Sequence, residues 1–136
     1  MKFLLRGLQV STMLMLATTA TAVDCKNAKT TQDINYCQGL ELDKLNNSLR
    51  IYYETSVQLN QNDELVVQKL MDSQARWEDY KSSYCGALYN KSRFGTTSGA
   101  AHLKCQQKLV KQRTLNLWQD FLSGPDGRSS DLPKPD

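Results

Sequence analysis

Between residues 30 and 122 the apolar positions fall into three runs with helical spacing, separated by polar breaks. In the first run Ile34, Cys37, Leu42, Leu45, Leu49, Tyr52 and Leu59 share one side, while Lys44, Arg50 and Glu54 occupy the other. Thr30 or Thr31 can cap it, and Asp33 sits favourably in the first turn. The pattern predicts one long amphipathic helix of about 28 residues, ~40 Å at 1.5 Å per residue, with Gly39 as its weak point.

Asn60-Gln61-Asn62-Asp63 breaks the run with turn and capping residues, and a second helix is predicted from Asp63 or Glu64 to about Cys85. Its stripe, Val66, Leu70, Ser73, Trp77, Tyr80 and Tyr84, alternates steps of four and three. An aromatic stripe so spaced builds a core far more often than it binds a ligand, so these residues are expected to form a helix-packing seam. Gly86 to Gly99 reads as a connection of about 14 residues, a length at which loops tend to be mobile or functional. A third helix is predicted from about Ser98 to Leu122, with Leu103, Val110, Leu117 and Phe121 on its apolar side, assisted by Leu109 and Trp118. Ser123-Gly124-Pro125 ends it, and residues 123–136, rich in proline and without apolar periodicity, are expected to be a disordered tail. The fold class that results is all-α: a long antiparallel helical hairpin plus a third packing helix.

The N-terminal stretch does not belong to that fold. Lys2 and Arg6 precede the mostly apolar Leu8–Leu16 run, and Ala20-Thr21-Ala22 has the form of a cleavage site, so residues 1–22 are expected to be a signal peptide. The helical domain then spans 23–122, with no stable membrane anchor after cleavage and a periplasmic or secreted destination. Removing Lys2 and Arg6 leaves 15 basic residues against 14 acidic, a net charge of +1. Nucleic acid is therefore not an expected partner, since phosphate binding calls for a basic excess or a basic face.

All four cysteines, Cys25, Cys37, Cys85 and Cys105, follow the cleavage site, and in an exported domain of this size an even count reads as disulfides. None forms a C-x-x-C pair and His102 is the only histidine, so neither a metal nor another cofactor is expected. Three pairings are possible. Folding the hairpin about residue 61 sets Cys37 opposite Cys85, which favours Cys37–Cys85 and, by elimination, Cys25–Cys105.

Catalysis needs convergent groups, and few are visible. Glu78 and Asp79 are adjacent on a helix and diverge by ~100°, and His102 has no nucleophile at a matching spacing. The chain is accordingly not expected to be an enzyme. A protein-binding role has better candidates: Lys91, Arg93, Phe94 and Ser98 lie in the cysteine-flanked connection, where a basic and aromatic tip can enter a partner's cleft. Arg113, between Val110 and Leu117, is expected to clamp the helices, over Trp77 or Tyr80 or against a carboxylate such as Glu78.

From Cys25 to Leu117 the chain resembles the LprI-type lysozyme inhibitor family of small exported bacterial domains. The opening Cys25, Ala28, Thr30, Thr31, Cys37 is similar to that family's C-x-x-A-x-T-T-x-x-x-x-x-C, and Asp43 with Asn46 to its D-x-x-N. The most specific match is Gln74, Trp77, Tyr80 and Cys85 to Q-x-x-W-x-x-Y-x-x-x-x-C, followed by Cys105, Arg113 and Leu117. Lys81 departs from the usual Arg, Leu49 from Tyr and Val110 from Thr. The resemblance implies an exported protein that binds and occludes a peptidoglycan-cleaving muramidase. The alternative is a periplasmic interaction or immunity-type module that binds another exported protein or cell-wall hydrolase without inhibiting lysozyme.

Overall fold

Two caps set the starts of the long helices. Thr30 Oγ1 accepts from the Asp33 amide at 3.0 Å and donates to the Asp33 carboxylate at 2.7 Å, starting α1 (Thr31–Leu59). Asp63 accepts from the Val66 amide at 3.1 Å and starts α2 (Glu64–Lys91). The chain then turns into α3 (Ser98–Leu117), which widens into a π-helical turn over Trp118–Leu122. The computed structural model describes residues 23–93, 95–124 and 130–136, so the expected signal peptide lies outside the described residues. Among the described residues there is no strand, and the all-α class predicted from periodicity is the one observed.

α2 is longer than its pattern suggested. Gly86 does not stop it, because one glycine costs only about 1 kcal/mol against alanine and the following Ala87 and Leu88 are good helix formers. The connection to α3 therefore shrinks to residues 92–97.

The three helices share one core. Leu42, Leu49 and Tyr52 from α1, Leu70 from α2, and Val110, Leu117 and Leu122 from α3 and its π turn are buried together. On α1 the steps 42–49–52–56 keep these residues and the buried Ser56 on one side; Ser56 returns its hydroxyl to the Tyr52 carbonyl at 2.8 Å. α3 lies along both long helices, which scarcely approach each other directly. Gln107 reaches the Gln38 carbonyl and side chain, at 2.8 and 2.9 Å, and Gly99 abuts Asn35. The order of these contacts makes α3 parallel to α1. A methyl group at position 99 would stand 2.9 Å from the Asn35 side-chain nitrogen, so a larger residue there would require that amide to move aside.

That arrangement overturns the expected disulfide pairing. The bonds are Cys25–Cys37 and Cys85–Cys105, not Cys37–Cys85 and Cys25–Cys105. Folding α1 on α2 about residue 61 assumed that the two helices touch along their length, whereas the close neighbour of each is α3. Cys37 is instead met by the short arm that precedes α1, and Cys85 by the first turns of α3. Both bonds close short loops, with separations of 12 and 20 residues, each contributing about 3 kcal/mol in the chain-entropy account.

The C-terminal residues differ from the expected tail. Residues 130–136 run back over α1 and α3: Trp118 Nε1 donates to the Leu132 carbonyl at 3.1 Å and Tyr52 Oη to the Pro133 carbonyl at 2.6 Å. Leu132 packs on the core. Composition marked the absence of periodic packing, but the segment is held by side-chain donors on the helices, which its own pattern does not reveal.

Burial raises the Tyr52 phenol above its ordinary pKa, and the nearby Asp136 carboxylate adds to the effect. The neutral phenol is thus favoured by folding. Its contribution is complete below the unfolded pKa near 10 and is lost as pH rises through the higher folded value. Tyrosinate absorbance should show one late-titrating residue, absent in Tyr52→Phe. Stability should fall over the same alkaline interval in the parent and less in the variant.

Candidate interaction surface

The end of the molecule where α2 passes into α3 is cross-linked at its base. Cys85 is fully buried and bonded to Cys105, and beside that bond His102 Nδ1 lies 3.0 Å from the Cys85 carbonyl. A carbonyl only accepts, so the proton sits on Nδ1 and Nε2 accepts from the Gln106 amide at 2.7 Å. Tyr89 meets the same imidazole edge-on, with centroids 6.0 Å apart. His102 is a fastening between α2 and α3.

Above this base the connection is a series of tight turns. The amide of Gly95 donates to the Ser92 carbonyl at 2.8 Å, and the Ser92 hydroxyl closes on the Leu88 carbonyl at 3.0 Å. Lys91 is exposed in the last turn of α2, where a cation is favoured by the helix dipole. Arg93 is exposed as well, with Nη1 donating to the Asn90 carbonyl at 2.9 Å. Ser98 is placed differently from the expected tip: it is buried at the start of α3, and its hydroxyl donates to the Gly95 carbonyl at 3.2 Å. Phe94 lies outside the described residues.

The outer side of α2 leads up to this tip. Tyr80 and Tyr84, expected in the core seam, are 51% and 49% exposed and stack on each other with centroids 5.4 Å apart. The inward stripe is Val66, Leu70, Trp77, Lys81 and Cys85, which keeps the expected Val66, Leu70 and Trp77 and shifts by one position only beyond Trp77. Lys81 is buried because its stem is apolar and its ammonium is served twice, by Glu78 at 2.6 Å and by the Trp77 ring at 4.7 Å. Hydropathy therefore selected the tyrosines over a lysine that has better partners inside. The Glu78–Lys81 and Trp77–Lys81 spacings, three and four residues, were the available signals.

The expected clamp is present with different partners. Arg113 Nε donates to Gln74 Oε1 at 3.1 Å and Nη2 to Ser73 Oγ at 2.9 Å, while Glu78 is taken by Lys81 and by the Gln74 amide at 3.2 Å. Partial burial lowers the Arg113 pKa, opposed by electrostatic interaction with Tyr53 and Asp120. Gln74 and Arg113 are thus one structural unit across α2 and α3, Trp77 packs against the shared core, and Tyr80 faces solvent. Beside this unit, a groove of about 340 Å³ separates α1 from α2, lined by Asn46, Tyr53, Glu78 and Lys81 among others.

Among the described residues no group of three His, Cys, Asp or Glu side chains is placed to hold a metal ion, and all four cysteines are in disulfides. No described helix is long and apolar enough to cross a membrane. The fold and this surface define a small disulfide-stapled helical scaffold that presents an exposed aromatic and basic end. The chain belongs to the family described as "Lysozyme inhibitor LprI", which it matches over residues 24–117. That span contains every cysteine and the Gln74, Trp77, Tyr80, Arg113 set, and stops before the π turn and the C-terminal segment. Comparison with curated proteins and with solved structures returned no match. Family membership and two disulfides are the features of an exported protein.

Proposed function

We propose that the protein is an exported, non-catalytic inhibitor that binds and occludes a peptidoglycan-cleaving muramidase through the α2–α3 end. The observation that carries this reading, beside membership in the family, is the pair of exposed cations, Lys91 in the last turn of α2 and Arg93 in the short connection after it, beyond the Cys85–Cys105 bond that ties α2 to α3. A muramidase cleft contains two carboxylates, and cations inserted there form charge-assisted hydrogen bonds. Rigidity at the base reduces the ordering cost of insertion. Tyr80 and Tyr84 extend the contact along α2 as flat, amphipathic surface of the kind enriched in protein interfaces. With a net charge of +1 after removal of residues 1–22, recognition rests on close contact and not on long-range steering.

Purified protein is expected to inhibit a c-type or g-type muramidase at micromolar concentration or below. Lys91→Ala combined with Arg93→Ala should weaken inhibition by about 100-fold, the scale of losing a buried charge contact. Absence of inhibition of both enzyme types removes the proposal, and full inhibition by the double variant moves the contact away from this end.

A further inference from the structure

The segment 131–136, Asp-Leu-Pro-Lys-Pro-Asp, is held in the manner of a ligand. Two of its six residues are prolines, which lack an amide donor and favour an extended backbone. Its consecutive carbonyls, Leu132 and Pro133, are instead met by Trp118 Nε1 and Tyr52 Oη. Aromatic side chains offering N–H and O–H donors to a prolyl backbone are the means by which grooves recognise extended proline-bearing peptides. The groove is only partly filled, with about 310 Å³ left between the segment and α1 and α3, bordered by Glu41, Leu45, Tyr52, Lys111 and Thr114. Those five residues lie within the family match, whereas Trp118 and the occupant lie beyond its end at Leu117.

We propose that the α1/α3 groove is a binding site for an extended proline-bearing segment of a partner protein, and that residues 131–136 occupy it as a resident competitor. The unfilled volume favours a partner segment over the identical segment of a second copy, because a bulkier occupant gains contacts that the strap does not make. An identical segment in trans must instead compete with a tethered one at an effective concentration in the millimolar range. The strap thereby sets a threshold: apparent affinity for an incoming segment falls by the fraction of time the groove is closed. This site is separate from the α2–α3 end, so it stands or falls apart from muramidase binding.

The test uses the chain ending at Ser130 and a fluorescent Asp-Leu-Pro-Lys-Pro-Asp peptide, read by anisotropy. The truncated chain should bind the peptide saturably and ~10-fold or more tightly than the full chain, given millimolar self-competition. Peptide with Pro133→Ala and Pro135→Ala, or truncated chain with Tyr52→Phe, should bind several-fold more weakly. A truncated chain that keeps its helical circular dichroism but ignores the peptide overturns the proposal, as does equal binding by both chains. If truncation prevents folding, full-length Leu132→Asp is followed through the Trp118 indole N–H resonance. That resonance should shift on substitution and return on adding the peptide, and failure to return overturns the proposal. A full-length dimer in sedimentation that the peptide dissociates would assign the groove to a second copy and overturn the partner assignment.

Discussion

Cys85→Ala combined with Cys105→Ala is expected to lower the unfolding free energy by about 3 kcal/mol from loop closure alone. For a domain of this size the melting temperature should fall by ~15 °C. Burial makes the loss larger than at the other bond. Cys85 is fully buried and Cys105 nearly so, and removing their sulfurs also empties packed space beside His102. Cys25 is exposed on an arm held chiefly by its own turn, where Asp24 accepts from the Lys26 amide and the Asn27 side chain. The corresponding Cys25→Ala, Cys37→Ala variant forgoes little packing. Thermal melts of the two double variants should therefore rank Cys85/Cys105 as the more damaging, and non-reducing peptide maps of the parent should join residue 85 to residue 105. The inhibitory contact proposed for Lys91 and Arg93 rests on the same bond. Inhibition should weaken in the Cys85/Cys105 variant at temperatures where it is still folded, and stay near the parent level without Cys25–Cys37.

The helices were legible because each carries its own local signals. Thr30 with Asp33 and Asp63 with Glu64 announce starts, and the α1 periodicity from Leu42 to Tyr52 names buried residues correctly. What was not legible is which helix each one touches. Register arithmetic about residue 61 is sound for a closed hairpin, but it is silent on a third helix running along both of the others. The same gap displaced the α2 seam: Trp77–Tyr80–Tyr84 and Trp77–Lys81–Cys85 are both helical stripes, and only the location of α3 decides between them. Choosing the second requires knowing that Glu78 and the Trp77 ring make a lysine tolerable inside. Of the residues expected to meet a partner, Lys91 and Arg93 are exposed as a contact requires, while Ser98 is used by the fold itself. The strap was invisible for a related reason. A segment without periodicity can still be ordered when its hydrogen-bond partners, here Tyr52 and Trp118, are spent from elsewhere in the chain.

The relocation of the seam can be tested by comparing two truncations that hydropathy alone would rank together. Leu117 has no exposed surface and belongs to the core that α1, α3 and the π turn share, so Leu117→Ala removes packed methyl groups and leaves a cavity. The expected loss is about 3–4 kcal/mol, the upper-middle of what buried leucines give. Tyr80→Ala deletes a larger side chain from the most specific part of the family pattern. Tyr80 is half exposed, however, and its ring contact is Tyr84, itself half exposed. Its loss should stay within about 1 kcal/mol, a stacking contribution reduced by solvent on both rings. Urea midpoints of the two variants at equal m-values separate the cases directly. A Tyr80→Ala variant as unstable as Leu117→Ala would return the tyrosines to the core and rotate α2 back to the stripe of its hydropathy. A small effect on stability, joined to a measurable loss of muramidase inhibition, would instead show that Tyr80 is kept for a partner.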